Sequence, residues 1–323
     1  MQVENGASTV QGLRSRFSSW PNWAVGVGCV AVILIAVERG YEGAFYPIGM
    51  MMHQPSKMNA AFGYRILLPF LAAQLQKLVP SLTDHNCFIA TQIVAIVSVV
   101  MLSGGWASLF MPKLGRIFGY AFVTLMICPT IDYWNFYDIA LVGFWTACLL
   151  LLYYDRLAVY VAILALGTLN HENTLLLIPC ALVYYWNRLK VWQLTLFAFA
   201  QIAAWTGVRY WVISSMQGGA LFDNRIWDNL FFWRFYHMQS IFFACIAVVP
   251  WWAVACKGWK YSSSLLRCCA LSLPGLYLVT FLFGKFDEAR QFDAFIPVCM
   301  GFIACWLRSE LWPAPDASSG FCS

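Results

Sequence analysis

Residues 281–306, FLFGKFDEARQFDAFIPVCMGFIACW, hold two apolar runs joined by eight residues of which four are charged. Each run could lie in a bilayer, and a plain connection between them needs no charge. Ionisable groups next to membrane segments are costly and usually mark a polar cavity. The stretch therefore predicts a helical hairpin in a membrane, with Asp287, Glu288 and Arg290 of its turn contributing to a site.

The whole chain has the same character. Of its 323 residues, 61% are hydrophobic and 11% charged, whereas soluble domains carry about 25% charged residues. Apolar runs near the roughly 20 residues that cross a bilayer recur along the chain, and β-barrel strands lack such continuous runs. We predict an all-α, polytopic transmembrane bundle of about ten spans in the lipid bilayer: 22–37, 64–80, 87–111, 117–130, 138–154, 158–186, 190–214, 240–256, 264–283 and 293–308.

The polar ends complete the predicted organisation. Residues 1–21 read as a cytosolic tail, 22–308 as one integral membrane domain and 309–323 as a flexible tail. Lys and Arg residues are scattered at segment ends, which suits membrane anchoring and gives no sign of a nucleic-acid partner.

Basic residues also predict an orientation. Arg14 and Arg16 place the N-terminus in the cytoplasm by the positive-inside rule, and the loop 38–63 is then external. Basic residues near 113–116 and 155–156 also read as cytoplasmic, which conflicts with simple alternation. A half-span or re-entrant turn between 80 and 130, together with a break at 170–173, would reconcile them.

The predicted first loop is long, and its mixture of aromatic and charged residues suits short amphipathic helices on the membrane surface. It opens with Glu38 and Glu42, which are four residues apart and would share one face of a continued helix. A carboxylate at the membrane edge could act as a general base or hold a metal ion.

Two arginines are candidate phosphate ligands. Arg65 directly precedes an apolar run in GYRILLPF, and Arg209 lies near a membrane boundary in WTGVRYWV. A guanidinium can bind phosphate through two parallel hydrogen bonds. For Arg65 the alternative is that its side chain snorkels to the membrane interface and binds no ligand.

The most costly polar group is Asn170, His171, Glu172 and Asn173, in the middle of the apolar segment 158–186. Either it lines an active-site cavity, or it forms a hydrogen-bonded knot between helices. No second histidine follows at the spacing of a zinc-binding HExxH motif. Asp138, at the mouth of a span among aromatic residues, is a further candidate for the same cavity.

The order of these motifs resembles the GT-C class of integral membrane glycosyltransferases, and more narrowly the small membrane proteins of bacterial polysaccharide gene clusters. The similarity is carried by Tyr64-Arg65 through Pro69, by Asn170 to Thr174, and by Glu288-Ala289-Arg290 through Pro297. The chain differs from the class in offering Glu38 and Glu42 in the first loop, where the catalytic acid is most often Asp.

The resemblance implies transfer of a sugar from a polyprenyl-phosphate donor to a glycan, lipid or protein acceptor, at the periplasmic face of a bacterial inner membrane. A first-loop glutamate would be the base, and a divalent cation could assist. The implied catalytic candidates are Glu38, Glu42, Glu172 and Glu288. The implied substrate-binding residues are Tyr64, Arg65, Asp138, Asn170, His171, Arg209, Asp287 and Arg290.

Three other functions stay open on the sequence. A polymerase or ligase acting on polyprenyl-linked glycans would share the arginine clamps. A transporter or lipid flippase would have helices broken near the midplane, and a break at 170–173 would favour it. A non-catalytic subunit of a glycan-assembly system is the third.

Overall fold

The computed structural model describes residues 22–40, 45–54, 65–131, 137–215, 227, 230–231, 238–283 and 289–312. Within these ranges the chain is helical and contains no strand, as the apolar runs predict. We number its α-helices α1 to α13.

The helices are α1 (Asn22–Gly40), α2 (Phe45–His53), α3 (Leu67–Leu78), α4 (Asp84–Phe110), α5 (Gly115–Ile127), α6 (Asp138–Tyr153), α7 (Leu157–Asn170), α8 (Leu177–Tyr185), α9 (Val191–Ser215), α10 (Met238–Gly258), α11 (Ser264–Ala270), α12 (Leu273–Phe283) and α13 (Ile296–Leu311). Short 3₁₀ helices at Cys128–Thr130, Glu172–Leu176, Trp259–Tyr261 and Ala289–Phe295 join some of them.

Five helical segments are long and apolar enough to cross a membrane: Asn22–Gly40, Asp84–Phe110, Val191–Ser215, Ser264–Leu282 and Phe292–Leu311. This supports a membrane protein, while the number of ten spans stays a prediction. The expected span 64–80 forms only the 12 residues of α3. A helix of that length is about 18 Å long, shorter than a hydrocarbon core of about 30 Å, and the same holds for α5, α7 and α8.

Close packing of small residues joins α4 to α5. A Cβ atom on Gly119 would lie 2.4 Å from the carbonyl oxygen of Ser103, and one on Gly115 would lie 2.5 Å from Cα of Ser108. Glycine is therefore required at both positions of α5, because it lets two membrane helices approach backbone to backbone. These contacts make α5 antiparallel to α4.

Helix α1 runs beside α5 in the same direction, since Gly26 contacts Tyr120 and Gly40 contacts Ile131. Helix α13 runs the same way as α4. Asp293, just before α13, accepts a hydrogen bond from Thr130, which follows the end of α5. Farther along both α13 and α4, Trp106 of α4 donates to the carbonyl of Pro297.

The remaining helices alternate in the same way. Asn170 at the end of α7 bonds to the carbonyl of Tyr137 before α6, so α6 and α7 are antiparallel. Helix α8 is antiparallel to α11 and α12, because Cys180 contacts Ser272 and Arg188 contacts Ser264.

The alternation defines two ends of the bundle. The acidic end, as we name it, carries Glu38, Asp84, Asp138, Glu172 and Asp293, and also Arg39, Arg65, Lys77 and Arg209; the basic end carries Lys113, Arg116, Arg188, Lys257 and Arg308, and also Asp155 and Glu310. The segment 158–186 breaks at His171, whose backbone is extended, and both ends of α3 contact residues of the acidic end. The orientation in a membrane stays a prediction. The break at His171 lies within the predicted range of 170–173. The short helix α3, in contrast, lies before the range of 80–130 in which we predicted a half-span or re-entrant turn.

Candidate functional site

The centre of the candidate site is a bonded pair formed by Arg65 and Glu172. Arg65 Nη2 donates to Glu172 Oε1 at 2.7 Å, and its Nε lies 3.4 Å from Oε2. This two-point geometry is the strong form of an arginine–carboxylate contact. The Arg65 guanidinium also lies 4.3 Å from the centre of the Tyr137 ring, which holds it from a second side.

Two further cationic or titratable groups surround the same carboxylate. Arg209 Nη1, from α9, lies 3.9 Å from Glu172 Oε2, and His171 Nδ1 lies 3.8 Å from it. On its other side, His171 Nε2 lies 3.9 Å from Asp138 Oδ1. Residues far apart in sequence thus form one ionic cluster, which we define as Arg65, Asp138, His171, Glu172 and Arg209.

The break between α7 and α8 positions this cluster. Asn170 ends α7 by donating its side-chain amide to the Tyr137 carbonyl at 2.8 Å. His171 then turns the chain, and its Nδ1 accepts the backbone N–H of Asn173 at 3.1 Å. The indole of Trp205 in α9 donates to the Glu172 carbonyl at 3.3 Å. A polar turn at the end of two apolar helices therefore has its backbone groups satisfied by neighbouring helices.

The cluster is well shielded from solvent. The exposed fraction of the side chain is 4% for His171, 7% for Asp138 and for Arg209, 10% for Arg65 and 28% for Glu172. Glu172 lies in the connection between α7 and α8, outside both helices. Burial opposes its ionisation, but the charges of Arg65 and Arg209 and the hydrogen bond from Arg65 outweigh burial and hold the pKa of Glu172 well below its usual value. Glu172 is therefore an anion at neutral pH.

Six of the residues singled out from sequence meet here: Arg65, Asp138, Asn170, His171, Glu172 and Arg209. Tyr64, Glu42, Asp287 and Glu288 lie outside the described residues, as does the side chain of Arg290. The structure therefore describes no distance from these groups to the ionic cluster.

Glu38 belongs to a second polar group at the start of α4. Glu38 Oε1 lies 3.4 Å from His85 Nε2, and the adjacent Asp84 contacts His53 at 3.1 Å and accepts a hydrogen bond from Gln76. Gln76 is near the end of α3, whereas Arg65 precedes its start. The length of α3, about 18 Å, therefore separates the second polar group from the ionic cluster.

The bundle also contains an apolar groove. Its volume is about 350 Å³, and residues of α3, α4, α6 and α7 form its walls. It includes Leu67, two residues after Arg65, and Ala140, two residues after Asp138. The five residues of the ionic cluster are not among the residues that line the groove.

Sequence reasoning missed Asp293. This aspartate is buried, accepts a hydrogen bond from Thr130 at 3.1 Å, and lines a cavity of about 150 Å³ with Trp251 and Trp252. The available signal was an acid between phenylalanines, FDAF, at the start of a span. The sequence pattern indicated the neighbouring charges of the 284–291 turn instead.

Among the described residues, no three or more His, Cys, Asp or Glu side chains are grouped so that they could hold a metal ion. The divalent cation implied by the resemblance therefore stays a prediction.

Comparison of the chain with protein-family models, with curated proteins and with solved structures finds no match.

Proposed function

We propose that this chain is a membrane glycosyltransferase that moves a sugar from a polyprenyl-phosphate donor to a glycan, lipid or protein acceptor, at the acidic end of the bundle. The observation that carries the proposal is the ionic cluster. Two arginines, a histidine and two carboxylates from four stretches of sequence meet in a shielded site. Concave sites with a few convergent polar groups are the usual place of ligand binding.

The proposed reaction is a substitution at the anomeric carbon of the donor sugar. The acceptor hydroxyl oxygen forms a bond to that carbon, and the bond from the carbon to the phosphate oxygen breaks. The polyprenyl phosphate leaves with the electron pair, and the hydroxyl proton passes to a carboxylate. Charge that develops on the leaving phosphate is stabilised by fixed cations, which is usually the largest contribution to catalysis.

The contacts of the two arginines give them different roles. Arg65 already bonds to Glu172, whereas Arg209 lies beyond hydrogen-bond distance of that carboxylate. A guanidinium has five N–H donors, and two of those of Arg65 point at Glu172. Arg209, whose contact with Glu172 is longer, is the candidate for the leaving group.

Glu172 suits the role of a counter-ion more than that of a base. The best general base has a pKa near the working pH, while the arginines hold the pKa of Glu172 well below its usual value. The proton acceptor is then a carboxylate outside the Arg65 pair. Asp138 within the cluster and Glu42 of the predicted first loop are the candidates.

The test is transfer by the purified protein in lipid nanodiscs with radiolabelled undecaprenyl-phosphate hexoses and pentoses as donors. We expect release of undecaprenyl phosphate with at least one donor. We also expect Arg209→Gln and either Asp138→Asn or Glu42→Gln to lower kcat by 10²-fold or more, as for a lost charge or base. Glu310→Gln, near the end of α13 at the basic end, is the control and retains activity. Absence of release with every donor would contradict the proposal.

A transport function stays the second candidate from the sequence. Transporters place substrate sites at helices broken near the midplane, whereas α7 and α8 form a hairpin whose turn lies at the acidic end. The same nanodisc preparation separates the two functions: a flippase moves a fluorescent polyprenyl phosphate across liposomes without breaking its sugar–phosphate bond, whereas a transferase breaks it.

A further inference from the structure

A small cavity lies between α5, α10 and α13, outside the ionic cluster. Its volume is about 150 Å³. Trp251 and Trp252 of α10 line it, together with Phe292 and Phe295 of the 3₁₀ helix before α13. Because four aromatic side chains meet at this space, we name it the aromatic cavity.

Asp293 brings a carboxylate into these apolar surroundings. Its exposed fraction is 4%, and among the described residues that line the cavity it alone carries a charge. Thr130 Oγ1, from the turn after α5, lies 3.1 Å from Asp293 Oδ2 and links α5 to the start of α13. A neutral side chain could make the same link without the cost of burying a charge. A carboxylate at this place is suited to a ligand that carries a positive charge.

The aromatic cavity opens at the surface of the bundle, near the acidic end. Leu125 and Pro129, which both line it, are exposed. Ile131 of the same turn contacts Gly40 at the end of α1. Water and lipid headgroups lie at the two ends of a membrane bundle, outside the hydrocarbon core. A polar ligand can therefore reach Asp293 without crossing that core.

Size and chemistry together favour an organic cation as the ligand. A cavity of roughly 150 Å³ holds a molecule of the size of benzene, whereas a hexose has about twice as many heavy atoms. Cages of aromatic rings recognise quaternary ammonium groups, because the ring faces attract cations. The carboxylate adds the opposite charge, whose attraction is stronger in apolar surroundings. An ammonium group with a short alkyl body matches both kinds of wall.

We propose that the aromatic cavity binds a small ammonium group, held by the carboxylate of Asp293 and by the rings of Trp251 and Trp252. Two sources offer this chemistry: the head of an ethanolamine or choline phospholipid, and a dissolved amine. None of the five residues of the ionic cluster lines the cavity. The proposal is therefore independent of the proposed function.

The test is binding of radiolabelled choline and ethanolamine to the purified full chain in a maltoside detergent. We expect saturable binding of at least one amine. Asp293→Asn, which removes the charge and keeps the size, and Trp252→Leu, which removes a ring, should each raise the Kd about tenfold or more. Asp84→Asn removes a charge at the same end of the bundle, and Trp23→Leu removes an exposed ring of α1. Both positions lie outside the cavity, so these control variants should leave the Kd unchanged.

Competition on the wild-type protein tests the role of charge and identifies the source. The neutral analogue of choline, in which carbon replaces the nitrogen, should displace the label about tenfold less well than choline. A short-chain phosphatidylcholine or phosphatidylethanolamine that competes better than its free amine identifies a lipid headgroup as the ligand. One that competes less well identifies a dissolved amine.

Four results would overturn the proposal. The first is an absence of saturable binding of both amines, and the second is an unchanged Kd in Asp293→Asn. The third is equal competition by choline and its neutral analogue, which would indicate an apolar contact without recognition of charge. The fourth is glucose displacing the label better than either amine, which would indicate a sugar site. The competition experiments use the wild type, so they decide the question even if Asp293→Asn fails to fold.

Discussion

At the scale of single residues, the chemistry of the site centres on the carboxylate of Glu172. It bonds to Arg65 in two-point geometry and lies within 4 Å of Arg209 and His171. A shielded charge of this kind is stable only with its partners, and loss of one partner leaves the other without compensation. Glu172 therefore organises the arginines before any substrate arrives.

The Arg65–Glu172 pair predicts non-additive variants. Arg65→Gln and Glu172→Gln should each lower the free energy of unfolding by about 1–3 kcal/mol, because each leaves a partly buried charge without its counter-ion. The double variant should be less destabilised than the sum, by about 0.5–3 kcal/mol. Thermal unfolding of the four proteins in one detergent measures this. Strictly additive shifts would show that the two side chains do not interact.

Asn170 predicts a sharp chemical effect of a near-isosteric change. Its amide donates to the Tyr137 carbonyl and is 1% exposed. Asn170→Asp replaces the donor by an acceptor that faces a carbonyl oxygen, and should cost about 1–3 kcal/mol. Asn22→Asp, at the exposed start of α1, is the matched control and should not destabilise, since a negative charge is favourable at a helix N-terminus. Equal melting temperatures for the two variants would contradict this role.

At the scale of elements, glycines decide how α4 and α5 meet. Gly119→Ala places a Cβ atom 2.4 Å from the Ser103 carbonyl oxygen, and such overpacking should cost about 1–3 kcal/mol. Gly28 of α1 has no atom within 4 Å of its Cβ position. Gly28→Ala should thus be neutral or slightly stabilising, because alanine favours helix more than glycine.

The measurement for this pair is the fraction of protein that stays monodisperse after heating, followed by size-exclusion chromatography. Gly119→Ala should aggregate at a lower temperature than the wild type, and Gly28→Ala should not. If Gly119→Ala matched the wild type, α4 and α5 would not be in backbone contact.

The other decisive element is α3, a helix that ends short of a span. Its start carries Arg65 to Glu172, and its last turns bring Gln76 to Asp84. A single short helix thus connects the ionic cluster to the second polar group. It also forms one wall of the apolar groove.

At the scale of the whole molecule, charge is distributed unevenly along the bundle axis. Basic residues outnumber acidic ones where α4 and α13 end, whereas acidic and basic residues are mixed where α4 and α6 begin. Lys and Arg concentrate on the cytoplasmic side of membrane proteins. The acidic end with its site is therefore predicted to face outward.

Reporter fusions in a bacterial host test this arrangement. Asn22 and Leu311 both lie at the basic end, because α1 runs opposite to α4 and α13 runs with it. Green fluorescent protein fused after Leu311 should fluoresce, and alkaline phosphatase at that position should be inactive. Alkaline phosphatase fused after Ser215, where α9 ends at the acidic side, should be active. The reverse pattern at both positions would invert the orientation, and equal activity would contradict the assignment of the two ends.

Much of this protein was determined by the sequence itself. Long apolar runs can bury their backbone polar groups in lipid only as helices, so the helical class and the positions of most helices followed directly. The cost of burying Arg65, Asp138, Asn170, His171, Glu172 and Arg209 likewise marked them as candidates before any geometry was known. A break at 170–173 was one way to reconcile the orientation of the basic residues, and the structure has it at His171.

Tertiary structure alone decided which of these residues meet. Glu38 shares its residue type with Glu172, but it lies with His85, about the length of α3 away from the ionic cluster. No local pattern separates the two, because the contact between Arg65 and Glu172 joins residues 107 apart in the chain. The crossing of α4 and α5, the shortness of α3 and the groove beside it depend on how side chains of distant segments pack, and that information is distributed over the whole chain.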